Sequence, residues 1–233
     1  MATVTFNDYM PIIWNRLMTE FQNEKGVAGI MGNLYAESGC TPYACQPTRP
    51  YDVCMTYIDN LNYHRISKND FVYHGCSATG GVASTQLGFG LAQWTYYSRK
   101  DGLYDFMFNN GTDIGDLENQ IAYVIQEITS NSAMDSVVRN ATDINTVSNY
   151  ILFNYENPDN KSLAVQEKRQ GYCSDIYDNY VGTTPVEPSN PQPPSTDRSP
   201  INPSDSTSDT ASVGNRIKKN MPLWMMLRDR YYT

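Results

Sequence analysis

Residues 24–39, EKGVAGIMGNLYAESG, constrain the fold more than any other stretch of the chain. Val27, Ile30, Met31, Leu34 and Tyr35 recur at the i, i+3, i+4, i+7, i+8 spacing that commits one helix face to a core. Gly29, Gly32 and Ala36 share another face. Interior glycines cost a helix roughly 1 kcal/mol each relative to alanine, a cost that is offset where another backbone packs closely; the plainer alternative is a weak helix. Gly39 is a helix stop, so Glu37 stands in the final turn. In projection it lies about 20° from Ile30, and a carboxyl thus travels with the apolar stripe. An acid so placed is either paired with a base, Arg99 or Arg169 for example, or kept protonated for use.

Other stripes agree with a helical class. Ile12, Ile13, Leu17 and Phe21 form an earlier one, with Asn7 or Asp8 near its cap and Pro11 in its first turn. Leu117, Ile121, Val124, Ile125 and Ile128 form a third. Ile144, Val147, Ile151, Leu152 and Tyr155 form a fourth, entered through Thr142 and Asp143. A last helix spans residues 162–180. Strand signals are limited to short runs near 71–91, so the expected fold is mainly α with a small β-hairpin. From Cys40 to Thr85 the helical period is lost in a stretch rich in Tyr, Asn, Pro and Cys. Residues 182–213 hold seven of the thirteen prolines and no aromatic side chain, a composition that cannot repay the entropy of ordering. The expected organisation is a folded domain over 1–181, a Pro/Ser/Thr-rich linker over 182–213 and a basic amphipathic tail over 214–233. That tail carries five basic residues against one acidic, and its MPLWMMLRDRYYT end suits docking on a membrane, a cell wall or a partner protein, or is simply loosely packed.

The net charge of −8 argues against nucleic acid as a partner. No stretch approaches the ~18 apolar residues of a transmembrane span. The N-terminus has neither a basic region nor an apolar run, so no signal peptide is expected and delivery falls to something else. Eighteen tyrosines against seven phenylalanines suit a surface that stacks on and hydrogen-bonds to a polar ligand, unless they reflect composition drift alone. Four of the five cysteines, Cys40, Cys45, Cys54 and Cys76, fall in the irregular stretch, and Cys173 lies outside it. One or two disulfides would staple that stretch in an oxidising place, with a connectivity that spacing does not reveal. No CxxC pair supports a zinc site with His64 or His74, and no cysteine has a nucleophile motif of the kind a cysteine peptidase needs. No cofactor and no metal are expected.

The chain regains order with TQLGFGLAQWTYYSRK, where Gly88 and Gly90 bracket Phe89 in a pattern that lets another group near the backbone, and Gln93 and Trp94 follow. The pairing of GIMGNLYAESG with GFGLAQW resembles the bacteriophage tail lysozymes, a branch of the goose-type lysozyme and lytic transglycosylase superfamily. ILFNYENP resembles the F-x-x-x-E-x-P element of that family, and Arg169 and Tyr172 fit its closing helix. The resemblance covers most of residues 5–180. It implies a lysozyme-like helical domain that cleaves the β-1,4 bond between N-acetylmuramic acid and N-acetylglucosamine in bacterial peptidoglycan, as a hydrolase or a lytic transglycosylase. The implied roles are Glu37 as general acid, with Phe89, Gln93, Trp94, Tyr155 and Glu156 lining the substrate cleft, Glu156 as a brace of its floor. A second carboxylate is sought among Asp52, Asp59 and Asp70, unless the substrate's own acetamido group or 6-hydroxyl takes that role. Such a protein would sit in the virion tail, docked on phage tail proteins through residues 214–233, or wait in the host cytoplasm as an endolysin before release to the wall. The rival reading is a non-enzymatic tail component that keeps the cleft for binding or assembly.

Overall fold

The computed structural model describes residues 3–183; the linker beyond residue 183 and the basic tail lie outside them. Five of the described helices start where a side chain satisfies a free N–H group. Asn23 accepts from the Gly26 N–H at the start of α2 (Glu24–Ser38), and Gly39 closes that helix in the left-handed conformation with its N–H on the Tyr35 carbonyl. Asp116 caps α6 (Leu117–Thr129), Asn131 caps α7 (Ser132–Arg139) and Asp143 caps α8 (Ile144–Ile151) in the same way. α1 (Met10–Phe21) lacks a side-chain cap and has Pro11 in its first turn. Asn7 instead accepts from the Tyr9 N–H and donates to the Gly39 carbonyl at 2.8 Å, tying the start of α1 to the end of α2.

α2 is the axis of the fold. Every residue from Gly26 to Leu34 is buried, so the amphipathic stripe expected there describes only part of a helix that is covered all round. It packs most heavily against α9 (Leu163–Tyr180) and α8, and also touches α1 and α7. The glycines make this possible. A Cβ on Gly26 would lie 2.1 Å from the Val138 carbonyl oxygen, one on Gly29 2.5 Å from Val147 Cγ1, and one on Gly32 2.3 Å from Cys173 Sγ. Three helices thus approach α2 through its missing side chains, and the close-packing reading of those glycines holds over the weak-helix one. α8 passes without a break into a π-helical segment, Leu152–Glu156, which ends in the left-handed Asn157.

The stretch from Cys40 to Thr85 is more regular than its composition indicates. It contains α3 (Tyr51–Asn62) and α4 (Lys68–Tyr73). The buried stripe of α3 is Cys54, Tyr57, Ile58 and Leu61, a helical spacing disguised because two of its four members are residues more often read as loop or strand formers. A further helix, α5 (Tyr97–Asn109), follows the GFGLAQW motif. Strand content near 71–91 reduces, among the described residues, to isolated antiparallel bridges, Cys76 with Val82 and Phe89 with Trp94, plus Cys45 with Phe89. All five cysteines are buried free thiols. The Cys45 thiol is pushed well up by hydrogen bonding to Cys54 and Cys76 and by burial, so three sulfurs gather beneath this region. None of the described helices is long and apolar enough to cross a membrane.

Candidate active site

The two motifs that stand far apart in the chain meet through one hydroxyl. Ser38 ends α2 and donates to the Leu91 carbonyl at 2.7 Å, which fixes the 88–94 loop beside Glu37. That loop is a tight turn in which Phe89 and Trp94 bond to each other in both directions, at 3.2 and 2.9 Å. Gly90 turns it at φ +74, and a Cβ there would sit 2.7 Å from Gln120 Oε1. Gln120 is fully buried; it accepts from the Leu91 N–H at 2.9 Å and donates to the Pro42 and Ile114 carbonyls, each at 2.9 Å. Gln93 spends its donors on the Ala44 and Gly90 carbonyls at 3.0 and 2.9 Å. In this structure it is therefore a staple of the loop.

Glu37 pairs with Arg169 of α9, its side chain 21% exposed against 9% for the arginine. Arg169 also donates to Asn33 Oδ1 at 3.0 Å. The fully buried Asn33 passes the network on by donating to the Gly29 and Ser148 carbonyls at 2.9 and 3.1 Å. A second ion pair stands alongside. Glu127 of α6 receives Arg99 through both oxygens, at 2.7 and 2.9 Å, and accepts the Trp94 indole N–H and the Tyr155 hydroxyl, each at 2.8 Å. Arg99 lies over the Tyr155 ring, 4.5 Å from its centroid.

Glu156 lies within electrostatic reach of both pairs. Burial, and next the charge of Glu37, push its carboxyl well above the usual carboxylate range, against the opposing pull of Arg99 and Arg169. Its Oε1 is buried with no hydrogen-bond partner. A buried unpartnered oxygen on a titratable group calls for an explanation, because burial without a partner costs about 1–3 kcal/mol. The arrangement is chemically able to hold a proton on a carboxyl beside a second carboxylate.

The other residues expected at the cleft have the following surroundings. Phe89 and Trp94 are core side chains, 1% and 0% exposed; they leave no face for a sugar to stack on, and Trp94 acts by its N–H on Glu127. Asp52 is exposed in the first turn of α3. Asp70 accepts from the Ser67 hydroxyl at 2.7 Å and stands 3.6 Å from His74 at α4. Asp59 lies near Tyr51. Glu37 and Glu127 both act on Glu156, which was already singled out; Glu127 is the carboxylate of this cluster that sequence reasoning missed. Glu127 follows Gln120, Tyr123 and Val124 at i+7, i+4 and i+3, all buried in α6, so the rule that singles out Glu37, a carboxyl travelling with a buried stripe, would also have found it.

The model of the phage tail lysozyme family matches residues 8–180. The chain belongs to the phage tail lysozyme family. No curated protein sequence matches it. For a phage tail lysozyme the helix-end Glu-Ser pair, the G-F-G-L-A-Q-W loop and the Asn-Tyr-Glu-Asn-Pro segment are the parts of the chain that converge on one charge cluster, and a lysozyme-like action on peptidoglycan is the function class this membership supports.

Proposed function

We propose that the chain is a muramidase that cuts the β-1,4 bond between N-acetylmuramic acid and N-acetylglucosamine, with Glu37 delivering the proton to the leaving oxygen. The observation that carries this reading is the convergence of Glu37 and Glu156 with two arginines at the end of a buried helix. A glycosidic oxygen leaves only when protonated, so the site needs a carboxyl that keeps its proton near neutral pH. Glu156 is the group whose acid form this environment favours. In our reading Glu156 keeps its proton beside the Glu37–Arg169 pair, and substrate displaces that pair before Glu37 acts on the leaving oxygen. The family points to carriage in the virion tail, and an endolysin released at lysis is the alternative route to the wall.

One observation favours a second reading. The Arg169–Glu37 contact is also what a purely structural pair would show, as in a tail component that has kept the cleft for binding or assembly. Mass spectrometry of fragments released from purified peptidoglycan separates these. Wild-type protein is expected to release muropeptides with reducing muramyl ends, and Glu37→Gln to lose about 10²–10⁴-fold in rate while still folding. Anhydro-muramyl ends would make it a lytic transglycosylase, and no release at all would leave the binding role. Virion proteomics tests the route, since an endolysin is missing from purified particles.

A further inference from the structure

We propose that Tyr73, Tyr96 and Tyr97 form a stacking platform for amino sugars of the glycan strand, at the rim of the Glu37 cleft. This rests on the glycan-cleaving reading above. The three side chains are among the most exposed large rings of the described residues, at 52%, 58% and 45%, and they are contiguous. Tyr96 and Tyr97 have ring centroids 4.5 Å apart, and Tyr73 and Tyr97 stack at 6.1 Å with 15° between their planes. Clustered exposed aromatics of this kind mark a binding surface, whereas single exposed rings are ordinary.

The platform is built to be rigid. Tyr96 is the N-terminal cap residue of α5, and its carbonyl accepts the Arg99 and Lys100 N–H groups, each at 3.0 Å. Lys100 has no exposed surface. Its ammonium reaches across to the His74 carbonyl at 2.5 Å and the Leu87 carbonyl at 3.3 Å, and lies 4.6 Å from the centroid of the Phe71 ring. A buried cation thus pins the end of α4, which carries Tyr73, to the first turn of α5, which carries Tyr97. Rings held in place by their scaffold lose little freedom when a ligand stacks on them.

Position identifies the occupant. Arg99 follows Tyr96 by three residues, a rise of about 4.5 Å along a helix, and is the arginine that holds Glu127 and acts on Glu156. In this proposal a glycan strand seated at Glu37 extends along the first turn of α5 to these rings. An N-acetylated pyranose has an apolar C–H face and a polar edge, and tyrosine answers both with a flat ring and a hydroxyl. Phenylalanine would answer only the first.

The test uses the full chain carrying Glu37→Gln, so that binding is read without turnover, and chito-oligosaccharides of two to six units as probes by titration calorimetry. The hexamer is expected to bind about tenfold more weakly when Tyr73, Tyr96 and Tyr97 are all replaced by alanine, with the dimer little changed, and Tyr→Trp replacements are expected to restore the hexamer. In the Glu37 background with activity, the same alanine changes raise KM for peptidoglycan about tenfold and leave kcat in place. If the triple variant melts early, Tyr96→Gln alone carries the same expectation, because that ring is the most exposed of the three. Equal hexamer affinity and equal KM in a wild-type enzyme that does cleave would overturn the platform alone. A wild-type protein that neither cleaves peptidoglycan nor binds any of the oligosaccharides would overturn the glycan-cleaving reading and the platform with it.

Discussion

At the scale of single residues, Glu156 makes the sharpest claim on stability. Its carboxyl is pushed above its ordinary 4.5 in the folded chain, first by burial and then by Glu37. Between 4.5 and the higher folded value the native state therefore binds more protons than the unfolded one, and stability falls as pH rises through that window. Glutamine cannot ionise. Glu156→Gln is accordingly expected to melt later than wild type at pH 7 and no later at pH 4; a wild-type-like pH profile in the variant would remove Glu156 as a proton holder. Lys100 has the opposite sign. Burial lowers it from 10.5 to about 8, so the unfolded state binds more protons from about pH 8 to 10.5 and this group adds stability as pH rises across that range. Glu37, Glu127 and Lys100 obey one positional rule, each a charged side chain on a buried helical stripe, and only the first was singled out from sequence because only it was joined to a recognisable motif.

Among the elements, α2 shows how backbone contact sets what a sequence tolerates. Alanine at Gly32 would improve helix propensity by roughly 1 kcal/mol. The same methyl would lie 2.3 Å from Cys173 Sγ, 2.7 Å from its amide nitrogen and 2.8 Å from its Cα, and a helix backbone cannot retreat as a side chain can. Gly32→Ala is thus expected to lower stability by a net of about 1–3 kcal/mol, read as a lower urea midpoint at an unchanged slope. A neutral or stabilising result would mean that α9 does not lie against α2 as described. The helices α1, α2, α6 and α8 were legible because Ile, Leu and Val carry most of their period, whereas α9 was expected by its span although its buried positions are Arg169, Cys173, Ile176 and Tyr180. α3 and α4 were not, since in the first the buried positions fall partly on Cys54 and Tyr57 and the second is only 6 residues long. α5 was hidden for a related reason, because one of its buried positions is the lysine at 100.

For the molecule as a whole, the thiols give a direct check. All five are free and buried. Without reductant, native protein is expected to take up no alkylating reagent on the timescale of minutes, and denatured protein to take up one equivalent for each cysteine, because access requires opening of the core. Fewer equivalents after denaturation would reveal a disulfide, and the gathered Cys45, Cys54 and Cys76 are where it would form.

The sequence alone determined the helical class, the stop of the central helix, the family likeness and the placing of Glu37 at a buried helix end. Those follow from short-range physics: periodicity, and a glycine that takes the left-handed turn. Tertiary structure decided the company Glu37 keeps. Arg169 lies 132 positions away, Ser38 reaches Leu91 across 53, and Arg99 reaches Glu127 across 28. Which charge neutralises which carboxyl, and which aromatic faces solvent while another is sealed inside, depends on how helices cross. That crossing is set by the close approach of backbones at Gly26, Gly29 and Gly32, and a linear pattern can announce such an approach without saying what arrives there.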